Sequence, residues 1–166
     1  MLLLVRHSVP EVDPAVPSEE WSLSNDGRRR CAPLAERLVA FRPQVLLSSP
    51  EPKARETAEL IAPALGLEVR LSDGLRETAR RSVAWLQRDV LERGIRDLFG
   101  RPNEIVFGEE SATAALTRFS AAVNGLPEPA VVVTHGTVLS LYVAANTGRD
   151  AFELWSTLKL PDVVEL

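Results

Sequence analysis

The sequence predicts a single α/β domain, built as a three-layer α/β/α sandwich around a mainly parallel central sheet. Short apolar runs, such as residues 2–5 and 131–133, alternate along the chain with longer stretches whose apolar residues recur at helical spacing. Uninterrupted apolar runs are typical of parallel strands that are buried on both faces. A chain of 166 residues with 45% hydrophobic content can bury one continuous core, so we expect one domain over residues 1–166.

The first half of the chain alternates three strands with two helices. The predicted elements are a strand at residues 2–5, a helix at 24–40, a strand at 45–47, a helix from 51 or 52 to 65, and a strand at 67–71. Three prolines keep the loop at residues 9–20 irregular. Ser24 suits the N-cap of the first helix, Pro33 predicts a late start or a bend in it, and Gly66 ends the second helix.

The second half begins with two helical patterns. The predicted elements are a helix at residues 78–99, a helix after Ser111 that carries residues 115–123, a strand at 131–134, a helix at 138–146 and an edge strand at 163–164. Residues 78–107 together predict a small cap-like segment over the sheet edge. Trp85 and the arginines of this segment either contact an anionic or aromatic substrate or, as we expect, serve packing and solvation.

Composition excludes several partners and places the protein in a reducing setting. The net charge of −4 and the isoelectric point near 5.3 argue against a nucleic-acid surface or a polybasic membrane patch. Cys31 is the only cysteine, and no apolar run approaches the roughly 18 residues that span a bilayer. We therefore expect a cytoplasmic protein. The arginine clusters at residues 28–30 and 80–81 either form solvated faces or attract an anionic substrate.

Polar residues that carry chemistry follow the predicted strands. Because the carboxyl ends of parallel strands meet at one sheet edge, these residues should line a common crevice. They are Arg6 and His7 after the first strand, Ser48, Ser49, Pro50 and Lys53 after the second, Glu77 after the third, and His135 after the fourth. Together they predict a cationic pocket with one carboxylate, which suits a phosphate monoester. The alternative is that each histidine is a structural residue satisfied by a nearby carbonyl.

These residues lie in motifs that resemble those of the histidine phosphatase superfamily, also called phosphoglycerate mutase-like. The matching segments are Arg6-His7-Ser8, Leu23-Ser24-Asn25-Asp26-Gly27, residues 49–58, Leu75-Arg76-Glu77, Gly108-Glu109-Glu110-Ser111 and Thr134-His135-Gly136. They follow the family's order and approximate spacing from residue 2 to at least residue 143. The resemblance implies a phosphoglycerate mutase-like fold.

The resemblance also implies roles for individual residues. His7 would be the nucleophile that becomes a phosphohistidine, while Arg6 and His135 hold the phosphoryl oxygens, His135 most usefully as a cation. Glu77 would protonate the leaving group and later take a proton from water. We expect the second ring nitrogen of His7 to donate to a backbone carbonyl, which fixes the tautomer. The implied substrate-binding residues are Arg6, Ser8, Lys53, His135 and Gly136, with no metal and no cofactor.

Two departures from the family pattern affect the pocket. The family's second phosphate-binding arginine falls on Lys53, which keeps the charge but loses the planar grip of a guanidinium. Arg55 is the other candidate, but two residues along a helix turn it by about 200°, which favours Lys53. Ser8 replaces a glycine, and its hydroxyl either contacts phosphate or caps the loop.

The short chain favours hydrolysis over the mutase reaction, which usually needs longer insertions to shield the intermediate from water. We therefore expect a phosphatase that acts on a small phosphorylated metabolite. A protein phosphohistidine phosphatase and a phosphate-binding regulatory module with little turnover are the alternatives. The oligomeric state is left open.

Overall fold

The computed structural model describes residues 1–166 and contains one five-stranded sheet. The strands are β1 (Leu2–Arg6), β2 (Val45–Ser48), β3 (Val69–Leu71), β4 (Ala130–Thr134) and β5 (Asp162–Glu165). Their order is β3-β2-β4-β1-β5, with parallel pairing from β3 to β1 and antiparallel pairing of β5 against β1. The mainly parallel sheet is confirmed, and so is the edge strand predicted at residues 163–164.

Helices cover both faces of this sheet. They are α1 (Asn25–Arg29), α2 (Cys31–Val39), α3 (Pro52–Leu65), α4 (Arg88–Gly100), α5 (Ala112–Val123), α6 (Gly136–Thr147) and α7 (Ala151–Thr157). On one face, Leu3 and Val5 pack with α2 and α3, whereas Leu4 packs on the other face with α4 to α7. The three-layer sandwich is therefore confirmed. None of the helices combines the length and apolar character that a transmembrane segment needs.

The register of the central strands brings their carboxyl ends together. Arg6 pairs with Thr134 across β1 and β4, and the His7 amide donates to the Thr134 carbonyl at 3.0 Å. On the other side of β4, the Ser49 amide donates to the carbonyl of Val133 at 3.0 Å. The residues that directly follow β1, β2 and β4 therefore meet at one edge of the sheet.

The prediction of a helix over residues 78–99 is wrong in its first half. Residues 78–87 are irregular, and the helix begins only at Arg88. The reason is tertiary: Glu110 accepts a hydrogen bond from the Ala79 amide at 3.0 Å, and Glu109 accepts one from the Ser82 amide at 2.7 Å. Backbone groups that bond to distant carboxylates do not enter a helical ladder.

Helix α7 is absent from the predicted elements, although the sequence carries a signal for it. The Asp150 side chain accepts a hydrogen bond from the Glu153 amide at 2.7 Å, which caps the helix. An acidic N-cap followed three residues later by Glu is a recognisable helix start. The helix has only seven residues, too short for apolar periodicity to stand out.

The first predicted helix is broken, as Pro33 suggested. Helix α1 ends at Arg29 and α2 begins at Cys31, so the break precedes the proline. Pro33 has no N–H for the Arg29 carbonyl, so a continuous helix would lack that hydrogen bond. The predicted cap at Ser24 is confirmed, because its hydroxyl accepts from the Gly27 amide at 3.0 Å.

We predict that Gly27→Ala lowers the free energy of unfolding by about 1–3 kcal/mol, measured by urea denaturation. A Cβ at this position would collide with the backbone carbonyl of Val9, two residues after His7. Gly100→Ala is the control, since no atom lies within 4 Å of its added Cβ, and it should be neutral or slightly stabilising. Equal stability of the two variants would contradict the close approach of the loop at Val9.

Candidate active site

The crevice at the carboxyl ends of β1 and β4 holds both histidines side by side. Their ring centroids lie 5.2 Å apart with the planes inclined at 60°. Both side chains are buried among the strand ends. The structure therefore brings together the two residues that the sequence placed on separate strands.

A backbone carbonyl fixes the tautomer of His7. Nδ1 of His7 lies 2.7 Å from the carbonyl oxygen of Ser8. Because a carbonyl only accepts, Nδ1 carries the proton and donates, which leaves Nε2 with a free lone pair. Burial, together with the neighbouring His135 and Lys53, lowers the pKa of His7 well below its usual value, so the ring is neutral near pH 7. A neutral imidazole with an unprotonated Nε2 is a competent nucleophile.

His135 is held between two strand ends. Its Nε2 lies 2.8 Å from the Ser49 hydroxyl and 3.6 Å from Oε2 of Glu51, while its Nδ1 is buried without a hydrogen-bond partner in the protein. Burial first, and then the charge of Lys53, lower the pKa of His135 well below its usual value. The surrounding protein thus favours a neutral His135, in contrast to the cation suggested by the resemblance.

Arg6 lies against the start of α6, close to Gly136. One Nη1–H donates to the Leu158 carbonyl at 2.7 Å, whereas the buried Nε has no partner in the protein. A Cβ added at Gly136 would lie 3.2 Å from the Arg6 Nε. The glycine of the Thr-His-Gly segment therefore permits the close approach of the guanidinium.

Lys53 faces the crevice from α3, and Arg55 faces solvent. Lys53 is 5% exposed, and its ammonium binds Oε2 of Glu51 at 3.1 Å and donates to the Ser18 carbonyl. Arg55 pairs instead with Glu59 on the surface at 3.5 Å. The turn of about 200° between the two positions thus places a single cation of this helix in the crevice.

The carboxylate of Glu77 binds the N-terminal end of α6. It accepts hydrogen bonds from the amides of Thr137 and Val138 at 3.1 and 3.2 Å, and from the amide of Thr78 at 2.9 Å. Burial raises the pKa of Glu77, but Arg80, His135 and these amides outweigh burial and lower it below the usual value. Glu77 is therefore ionised at neutral pH unless another negative charge comes close.

Arg118 positions the segment that carries Glu77. Its guanidinium donates to the backbone carbonyls of Gly74, Arg76 and Glu77 at 2.8–2.9 Å. The carboxylate of Glu110 binds the same guanidinium at 2.8 Å. The Gly-Glu-Glu-Ser segment of the sequence thus acts on the crevice through Arg118.

Sequence reasoning missed Glu51, and it left Arg80, in the cluster at residues 80–81, open between a solvated face and attraction of an anionic substrate. Glu51 is 3% exposed, and its Oε1 accepts a hydrogen bond from the Glu77 amide at 2.9 Å. Arg80 lies 3.6 Å from the Glu77 carboxylate, and its Nη1 is buried without a partner in the protein. The neighbouring Arg81 is exposed and pairs with Glu19 and Glu20. Glu51 stands directly before a helix and Arg80 stands next to another arginine, and both patterns are also found among surface residues. The sequence therefore did not distinguish these two residues from exposed ones.

Ser8 uses its polar groups inside the protein. Its hydroxyl donates to the Gly27 carbonyl at 2.7 Å, and its amide donates to the Thr57 hydroxyl at 3.0 Å. The side chain is fully buried. The geometry favours the loop-capping role for Ser8 among the two that the sequence left open.

The unpartnered polar atoms of the crevice point to an anionic ligand. Nε of Arg6, Nη1 of Arg80 and Nδ1 of His135 are all buried without a hydrogen bond in the protein. Buried guanidinium donors are costly to leave unsatisfied. An oxyanion with several acceptor oxygens would pair with them, beside the unprotonated nitrogen of His7. No group of three or more His, Cys, Asp or Glu side chains has the arrangement of a metal site.

Comparison with known proteins gives a family for the chain. The model of the histidine phosphatase superfamily, branch 1, matches residues 2–162. A search of curated proteins found no match.

Solved structures share the fold. A mycobacterial glucosyl-3-phosphoglycerate phosphatase is 24% identical and superimposes with a TM-score of 0.72, over 95% of this chain and 84% of that chain. The protein TTHB049 from Thermus thermophilus is 27% identical, with a TM-score of 0.70, over 90% of this chain and 86% of that chain. The fold described above therefore recurs in proteins of low sequence identity.

We predict that Glu51→Ala lowers the free energy of unfolding by about 3 kcal/mol, because it removes the carboxylate partner of the buried Lys53 ammonium and leaves the Glu77 amide without its acceptor. Urea denaturation measures the change. Glu59→Ala is the matched control, since Glu59 forms an exposed pair with Arg55, and it should change stability by less than about 0.5 kcal/mol. A Glu51→Ala variant as stable as the control would show that Glu51 does not hold the crevice together.

Proposed function

The chain belongs to the histidine phosphatase superfamily, and we propose that it hydrolyses phosphate monoesters of small metabolites through a phosphohistidine on His7. The observation that carries the proposal is the hydrogen bond from Nδ1 of His7 to the Ser8 carbonyl, 2.7 Å long, beside unpartnered cationic donors. This hydrogen bond prepares Nε2 for attack on phosphorus. The unpartnered donors supply the groups that stabilise the charge of the phosphoryl oxygens.

The proposed phosphate site uses cations from three elements. They are Arg6 at the end of β1, Lys53 on α3 and Arg80 from the irregular segment. Arg6 and Arg80 each offer a buried N–H that has no partner in the protein. His135 contributes its unpartnered Nδ1. No metal ion or cofactor takes part in the proposed reaction.

Glu77 moves the proton in both halves of the reaction. Nε2 of His7 forms a bond to phosphorus while the bond from phosphorus to the ester oxygen breaks, and Glu77 gives its proton to that oxygen. Water then attacks the phosphohistidine, Glu77 takes the proton back, and the nitrogen–phosphorus bond breaks to release inorganic phosphate. Glu77 is ionised in the protein alone. When substrate binds, the negative phosphate raises the pKa of the Glu77 carboxyl group, so that this group takes up the proton that the reaction needs.

Hydrolysis, and not transfer to a second substrate group, is the proposed outcome. The crevice is bordered by the segments at residues 9–20 and 78–87, which line a cavity of about 10 Å³ beside Glu77, about enough for one water molecule. The similar mycobacterial protein is described as a phosphatase of glucosyl-3-phosphoglycerate, a small phosphorylated metabolite. This similarity supports the class of reaction and leaves the substrate of this chain to its own pocket.

The intermediate gives the direct test of this proposal. Brief incubation with phosphorus-32-labelled phosphoramidate, followed by rapid denaturation, should leave an acid-labile, base-stable label on His7, identified by peptide mapping. His7→Ala should lose the label and reduce turnover of p-nitrophenyl phosphate by about a thousandfold or more. Arg55→Ala serves as the control and should label normally. Label on another residue, or near-normal turnover by His7→Ala, would refute the mechanism.

A second prediction concerns the cation on α3. Lys53→Ala should reduce kcat/KM for p-nitrophenyl phosphate by about 10–100-fold, because a charged hydrogen bond to phosphate is lost. Lys53→Arg should retain activity, since a guanidinium keeps the charge and adds a fork. Arg55→Ala should stay within about twofold of the unmodified protein. The reverse ranking, with Arg55 essential and Lys53 dispensable, would show that the phosphate does not bind to this face of α3.

A further inference from the structure

An apolar cavity adjoins the proposed phosphate site, between the two irregular segments that border the crevice. Its volume is about 190 Å³, and nine of its eleven lining residues are hydrophobic. The walls come from the 9–21 loop and from residues 80–107, and they include Val12, Val16, Trp21, Val83, Trp85 and Phe107. The non-helical residues 80–86 thus form a large part of the cavity wall.

Three contacts join this cavity to the phosphate site. Arg80 lines the cavity and also lies 3.6 Å from the Glu77 carboxylate. Ser18 lines it too, and its carbonyl accepts from the Lys53 ammonium. The ring of Trp21 forms part of the wall, and Nζ of Lys53 lies 5.9 Å from its centroid. A ligand whose phosphate is held by Arg80 and Lys53 thus has its remaining part next to apolar side chains.

The cavity walls are unusually exposed for large apolar residues. Trp85 is 50% exposed and Val12 is 48% exposed. The indole Nε1 of Trp21 donates to the carbonyl of Asp13 at 2.9 Å, so its only polar atom is directed to the backbone. Covering such surface with an apolar group is favourable, because it removes apolar area from water. A cavity lined by apolar side chains, with a few polar groups beside it, is typical of a ligand-binding site.

Resting on the proposed function, we infer that the substrate is a phosphate monoester with an apolar leaving group, an aryl ring or an alkyl chain of about that size. A cavity of about 150 Å³ accommodates benzene, so the volume here suffices for one ring. Besides Arg80 and Ser18, the lining side chains have only the indole nitrogens of Trp21 and Trp85 as polar atoms, so most hydroxyl groups of a sugar would lose water without gaining side-chain partners. The cavity thereby selects against polyhydroxylated leaving groups.

The test compares binding and turnover along a homologous series. Ethyl, butyl and hexyl phosphate have leaving groups of nearly equal acidity, so differences in kcat/KM report contacts of the chain and not chemistry. We expect kcat/KM to rise about two- to threefold per methylene, and to be lowest for glycerol 3-phosphate. Phosphonates test binding without turnover. In calorimetric titration, hexylphosphonate should bind more tightly than methylphosphonate, because its longer chain fills the apolar cavity.

Two variants locate the effect. Trp85→Ala and Val12→Asn change exposed side chains of the cavity wall, so neither should unfold the protein. Each should reduce the hexyl-to-ethyl ratio of kcat/KM by about fivefold. The kcat/KM for ethyl phosphate itself should change little. Leu60→Ala, an exposed apolar residue of α3 outside the cavity, is the control and should keep the ratio.

The two proposals fail in different ways. Equal affinity for hexyl- and methylphosphonate, or equal turnover of glycerol 3-phosphate and hexyl phosphate, would overturn the apolar leaving group while His7-dependent hydrolysis remained. Tighter binding of hexylphosphonate without hydrolysis of any ester would support the subsite and refute the hydrolase. A chain-length preference that survives in both variants would overturn the assignment of the cavity.

Discussion

The side-by-side pairing of β1 with β4 is the contact on which the rest of the structure depends. Its register sets Arg6 opposite Thr134, so the residues that follow, His7 and His135, leave the sheet at the same level. Apolar side chains on both faces of these strands hold the register, because a shift by one residue would exchange the two faces. Hydrophobic packing thus holds the register that places the two imidazoles 5.2 Å apart.

The crevice concentrates positive charge, and two carboxylates keep it stable. Lys53 binds Glu51, and Arg80 lies beside Glu77. A buried cation is strongly destabilising without such a partner. Glu77 satisfies only part of Arg80, and Arg6 forms no ion pair, so a buried donor of each arginine remains for a ligand. The proposed phosphate would complete a charge arrangement that the protein alone leaves unfinished.

The two segments at residues 9–20 and 78–87 line the apolar cavity beside the proposed phosphate site. The 9–20 loop and residues 78–87 meet through ion pairs of Arg81 with Glu19 and Glu20. Glu109 and Glu110 bind backbone amides of the second segment, and Arg118 holds its start at Glu77. The apolar cavity between these segments is therefore built by tertiary contacts, whereas the two histidines of the proposed phosphate site directly follow strand ends. This division would allow the leaving group to be selected without altering the reacting residues.

The sequence by itself determined the layers of the fold and the positions of Arg6, His7 and His135, because apolar runs encode buried strands and a parallel sheet collects their ends at one edge. Helical geometry likewise distinguished Lys53 from Arg55. Only the tertiary structure decided that residues 78–87 form no helix, that Glu51 enters the crevice and that the Ser8 hydroxyl binds Gly27. Each of these depends on a partner many residues away, such as the Glu77 amide for Glu51, and local patterns carry no information on such distant partners.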